Sequence, residues 1–144
     1  MHIKIIPFLF LAFTIISCSS SNEKPAVPNT SLENTRWVLR SLNELKVFTP
    51  ESGKEAFITL MSSENRARGN AGCNTFFGTY TVTKNQIKFG PIARTEMYCE
   101  QQMQTENNFV KALESANKFK IRGDKLYLYD SIQLLATFEA VYLN

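Results

Sequence analysis

Arg68-Gly69-Asn70-Ala71-Gly72-Cys73-Asn74-Thr75-Phe76-Phe77-Gly78-Thr79-Tyr80-Thr81-Val82 is the stretch that decides how this chain reads. Two glycines and two asparagines fall within Gly69–Asn74, a composition that asks for positive φ and hence a tight, irregular loop. From Phe76 to Val82 the residues are aromatic, β-branched and small, which predicts a strand. That strand turns through Lys84-Asn85 into Ile87-Lys88-Phe89, so the pair forms a hairpin. A phosphate cradle is the functional alternative for the glycine-rich half. Its spacing fits no P-loop, and no Lys-Ser/Thr pair follows. The loop reads as a constrained entry to the strand.

Strands continue outward in both directions. Trp37–Leu42 and Ala56–Met61 precede the loop, with Phe57 or Ile58 setting the alternation of the second. Lys118-Phe119-Lys120-Ile121-Arg122 alternates charge with apolar side chains, which directs the cations outward and Phe119 and Ile121 inward. Gly123-Asp124 supplies a turn into Leu126–Tyr129, and Leu134–Val141 is the last strand. One segment differs. Between about 100 and 116, glycine and proline are absent, and Phe109, Ala112, Leu113 and Ala116 recur at helical spacing. Glu100 and Glu106 stand toward its amino-terminal end, where the helix dipole favours negative charge. Several short strands with one helix predict a mainly β (α+β) fold, a closed or partly closed antiparallel barrel, which also removes exposed edges.

The start of the 144-residue chain is of another kind. Positions 1–17 read as a signal peptide, with Lys4 before the apolar run Ile5–Phe13 that continues to Ile16. That run is short of the roughly 20 apolar residues of a membrane span. Ile15-Ile16-Ser17-Cys18 resembles a bacterial lipobox, in which Cys18 is lipidated and cleavage falls before it. A secretory signal with a chance cysteine, or an uncleaved anchor, is the plainer alternative. Residues 18–31, with Ser19-Ser20-Ser21 and two prolines, suit a flexible tether of roughly fifteen residues spanning on the order of 20 Å. These features predict a cell-envelope protein, lipid-anchored to a membrane; by resemblance to the enteric sorting rule, Ser19 beside the anchor favours the outer membrane over the inner.

Removing the leader changes the available chemistry. His2 is the one histidine, so the mature chain has none. That excludes Ser-His-Asp triads, Cys-His pairs and histidine metal cages. Cys73 and Cys99 are the cysteines left after Cys18, and in an oxidising compartment they are expected to pair; two buried free thiols are the alternative. Without histidine, two cysteines leave tetrahedral zinc short of ligands, and Asp124 and Asp130 fit no calcium loop. No cofactor, no metal and no catalytic residue is expected. A net charge of +3 is too small to argue for nucleic acid.

Taken together, these motifs resemble the META domain family, the HslJ-like bacterial heat-shock lipoproteins. Gly72-Cys73-Asn74 with Phe77-Gly78-Thr79-Tyr80 carries the likeness first. Gly90-Pro91-Ile92-Ala93, Thr95-Glu96-Met97-Tyr98-Cys99, the helix positions Glu106, Phe109 and Leu113, and Phe119–Leu126 extend it over 32–142. Trp37 and Leu39 match the opening strand, and Asn34 stands where the family often has glycine. The resemblance implies a conical antiparallel β-barrel, exported and lipid-anchored, linked to heat-shock response and antibiotic tolerance. The family has no established catalytic residues to carry over.

The expected function is therefore a membrane-anchored, monomeric, non-catalytic binding or stress-protective domain, acting on an envelope protein or small amphiphile. Two surfaces are candidates for binding: the loop with Asn70 and Asn74, and the cationic face of Lys118, Lys120 and Arg122. Each has a structural explanation, a constrained turn and a solvated strand face. Inhibition of an envelope hydrolase by a projecting 69–75 loop is an alternative. A hollow, amphiphile-binding barrel is another, unless Phe57, Phe77, Tyr80, Phe89 and Phe119 fill the interior.

Overall fold

A computed structural model describes residues 29–51 and 53–142. Cys18, with the leader and most of the tether, lies outside them. Among the described residues, ten strands and one helix follow in chain order. They are β1 (Arg36–Leu42), β2 (Leu45–Lys46), β3 (Phe57–Met61), β4 (Arg66–Asn70), β5 (Thr75–Thr83), β6 (Gln86–Phe89), β7 (Ala93–Arg94), α1 (Met103–Ser115), β8 (Lys118–Arg122), β9 (Lys125–Asp130) and β10 (Gln133–Val141). Antiparallel pairing runs β1-β3-β4-β5-β6-β8-β9-β10 and returns to β1, closing an eight-stranded barrel. β2 pairs β1 and β7 pairs β5 outside that ring.

Tight two-residue turns set the registers. Lys84, with φ 59°, turns β5 into β6, where Thr83 opposes Gln86. Gly123, with φ 60°, does the same between Arg122 and Lys125. Both turns fall where the sequence predicts them. Asn34 adopts φ 60°, the left-handed backbone that a glycine would tolerate. The chain is fastened from Thr30 onward, whose amide donates to the Gly123 carbonyl at 2.9 Å.

Trp37, Ile58, Leu60, Phe76, Tyr80, Ile87, Leu126, Leu128 and Phe138 point inward from the strands and are buried. Among these, the Trp37 indole donates to the Leu32 carbonyl at 2.8 Å, so its polar edge is satisfied inside the core. α1 packs against β1, β6, β9 and β10 and drives Phe109 into the barrel. The Phe109 ring lies 5.6 Å from Phe76 and 5.7 Å from Phe138, edge-on to the first, so one helical side chain bridges opposite walls.

The structure corrects several boundaries. The helix begins at Met103, three residues later than the composition suggests, because 99–102 form turns closed onto the Cys99 carbonyl. Arg66–Asn70 is strand β4, in register with both β3 and β5, so the irregular loop shrinks to 71–74. Gly69 belongs to that strand: a Cβ there would strike the Phe57 carbonyl oxygen, so the residue serves close approach of two backbones. Gly72, at φ 114°, is the position where the loop needs positive φ. Of the five aromatics whose inward packing would rule out a hollow barrel, Tyr80 and Phe89 are buried, whereas Phe57 and Phe119 are half-buried and Phe77 is 55% exposed. Trp37, Phe76, Phe109 and Phe138 fill the centre in their place.

Candidate functional site

The glycine-asparagine loop is built around Glu106, a carboxylate with no exposed surface in the first turn of α1. It faces Asn74 twice: the Asn74 backbone amide donates to Oε2 at 2.7 Å, and Asn74 Nδ2 donates to Oε1 at 2.9 Å. Arg94 completes the set with an ion pair at 3.1 Å to Oε1. Asn74 is engaged in every direction. Its Oδ1 accepts from the Met97 amide and the Thr95 hydroxyl, each at 2.7 Å, while Nδ2 also donates to the Met97 carbonyl at 2.9 Å. A single side chain thus pairs with the 95–97 segment as a strand would. Asn70 Oδ1 accepts from the Gly72 amide at 2.8 Å, holding the turn from inside.

The Cys73–Cys99 disulfide closes the same unit, with Cα atoms 5.8 Å apart and a sequence separation of 26. The bond ties the loop to the start of α1. Asn70 and Asn74, proposed as binding residues, are therefore buried and committed internally, which corrects the reading of 69–75 as an exposed surface. Sequence reasoning placed Glu106 on the helix but missed its role. A signal was present: Glu106 shares one helical face with Phe109, Val110 and Leu113, all buried, so an acid stands in an apolar stripe.

Tyr80 is a second buried polar anchor. Its hydroxyl bonds the Glu33 carboxylate at 2.6 Å, joining β5 to the amino-terminal segment. Burial, then the hydrogen bond and the charge of Glu33, push the Tyr80 hydroxyl well above the ordinary tyrosine range.

Two cationic concavities lie on the outside. The first, about 620 Å³, is bounded by Arg36, Arg68, Phe57, Thr59 and Thr75 across β1, β3, β4 and β5. Arg36 is already occupied there: its guanidinium stacks 3.4 Å over the Phe57 ring, with Glu55 3.8 Å away. The second, about 750 Å³, runs between the β5–β6 turn and β8. Lys84, Lys118 and Lys120 surround it, Phe119 and Ile121 line it, and Ile132 stands at its rim, 94% exposed. It exists because β6 and β8 meet in register only at Gln86 and Lys118, leaving the rest of β8 as an edge. Among the described residues, none of the three lysines is in an ion pair. Lys118 and Lys120 thus flank this groove, while Arg122 follows them at the far end of β8, opposite Lys125. Among the described residues, no three His, Cys, Asp or Glu side chains gather where they could hold a metal.

A closed eight-stranded antiparallel barrel, bridged inside by a helical phenylalanine and sealed by a disulfide-bound loop, defines the class. The META domain family model matches residues 30–142, and the chain belongs to that family. It is similar in fold to a protein from Burkholderia xenovorans solved by NMR, with 24% identity over 78% of this chain and 85% of that one (TM-score 0.62). A second NMR structure matches at 20% identity over 76% of this chain and 94% of the other, with a TM-score of 0.60. No curated protein matches the chain.

Proposed function

We propose that this META domain is the non-catalytic binding module of an envelope lipoprotein, acylated on Cys18 and acting monomerically at a membrane surface during stress. One observation carries the binding reading: the groove of Lys84, Lys118 and Lys120, which are in no ion pair among the described residues, joins cations to apolar side chains in one concavity. That combination suits an anionic amphiphile or an acidic, partly apolar segment of an envelope protein. The inhibitor reading loses its main support, since Asn70–Asn74 is buried and no loop projects there. The hollow-barrel reading loses ground to the aromatic filling described above.

The anchor is tested by intact mass and detergent partitioning of the protein expressed in a bacterial host. The expected product lacks residues 1–17, carries added diacylglycerol mass at Cys18 and enters the detergent phase. A Cys18→Ser chain remains uncleaved or partitions into water. Wild-type protein that keeps residues 1–17, or lacks lipid mass, contradicts the reading.

A further inference from the structure

The described residues begin beside the groove. Asn29 lines the same concavity as Lys84, Lys118 and Lys120. Its Oδ1 accepts from the Gly123 amide at 2.8 Å, and Thr30 donates back to the Gly123 carbonyl, so the point of entry is pinned to the end of β8. Residues 18–28 separate that point from Cys18, a length that reaches no more than about 40 Å even when fully extended. With lipid on Cys18, the tether would attach to the barrel on its β8 side.

The composition of that side suits headgroups. Lys118 opposes Tyr129 and Lys120 opposes Tyr127 in the β8–β9 register, so cations and half-buried phenols alternate on one outward surface. Arg122 and Lys125 continue it. Long cationic side chains and tyrosines are the residues that settle at a membrane interface, with their stems or rings in the apolar layer and their polar ends in the headgroups. Ile132, almost wholly exposed at the β9–β10 turn, adds an aliphatic contact at the rim. The acidic residues of this region sit at its margins. Asp130 is bonded to the Asn117 amide at 2.7 Å, Asp124 lies in the β8–β9 turn, and Glu139 is paired with Arg40.

We propose that the groove of Lys84, Lys118 and Lys120 docks on the anionic phospholipid headgroups of the membrane that holds the anchor, so that the barrel lies on its bilayer by a defined face. This rests on the lipoprotein reading above, and the two are separable. The test uses the mature chain from residue 18 with Cys18→Ser, unacylated, and vesicles of phosphatidylglycerol and phosphatidylethanolamine against phosphatidylcholine alone. Binding to the anionic vesicles and none to phosphatidylcholine is expected. A basic side chain beside an anionic surface is worth about fivefold in partitioning, so Lys118→Gln/Lys120→Gln should weaken binding about thirtyfold. Arg36→Gln/Arg68→Gln removes the same charge from the other concavity and should change binding less than about twofold. Equal losses in the two variants, equal binding to both vesicle types, or no binding to anionic vesicles overturns the proposal. Because this protein carries no lipid, those results stand whatever the mass of Cys18 shows. An unchanged urea midpoint for each variant confirms that folding is intact.

Discussion

The 70–74 loop and the 118–122 strand look alike in the sequence, each a polar stretch with adjoining apolar residues, yet they occupy opposite situations in the fold. Asn70 and Asn74 are buried, with their amide groups consumed by the backbone of Gly72 and Met97, by Thr95 and by Glu106. Lys118, Lys120 and Arg122 are exposed, with no ion pair among the described residues. Polar character alone does not distinguish a contact surface from a fastening. The difference lies in what each side chain meets. An asparagine can satisfy four hydrogen bonds with short, directional groups inside a protein, whereas a lysine ammonium is strongly hydrated and is buried only at high cost.

This contrast can be broken at its strongest point first. Glu106→Ala leaves two buried Asn74 donors without this acceptor and removes the Arg94 ion pair, and should cost about 3–5 kcal/mol. Urea denaturation measures it, and a loss under about 1 kcal/mol would show that the buried network does not hold the loop. Replacing both Cys73 and Cys99 by Ser comes next. Releasing the 26-residue separation should cost about 3–4 kcal/mol in the chain-entropy account. The same shift should appear when wild type is unfolded with reductant present, and the double variant should be insensitive to reductant.

Much of this was legible in the sequence and some was hidden for identifiable reasons. The apolar runs at Trp37–Leu39 and Ala56–Met61, the aromatic and β-branched run around Tyr80 and the alternation around Phe119, with the Lys84-Asn85 and Gly123-Asp124 turns, mark most strands of the barrel. Arg66–Asn70 is harder to read because its inward residues are Ala67 and Gly69, too small to signal a strand. β2 and β7 are two residues each, below the length at which period-two alternation can be seen. The Gly72-Cys73-Asn74 signature stands out, but composition cannot say that Asn74 faces Glu106, 32 positions away. The groove was half visible. Lys118 and Lys120 were apparent; the part played by Lys84 depends on how β6 meets β8.

Tyr80 sharpens the contrast by pH. Its folded-state proton is held more tightly than in the unfolded chain, because burial and Glu33 oppose ionisation. The stabilisation is complete below the ordinary tyrosine value of 10.0 and is lost as pH rises above it. Urea titrations across alkaline pH should show a falling stability that Tyr80→Phe makes shallower. An identical slope in the variant would remove Tyr80 as its cause. The smallest expected effect belongs to the exposed strand: Lys118→Gln and Lys120→Gln should each change stability by less than about 0.5 kcal/mol in water without vesicles. A larger loss by thermal denaturation would make those lysines part of the framework.

The central claim is that the molecule meets its surroundings through the β8 groove and keeps the cysteine loop for itself. Amide hydrogen exchange on wild-type protein, with and without phosphatidylglycerol-containing vesicles, tests both halves at once. Slower exchange at 84–86, 118–122 and 129–132, with 69–76 unchanged, is the predicted result. Vesicle-dependent protection centred on 69–76, or none in the β8 region, contradicts it.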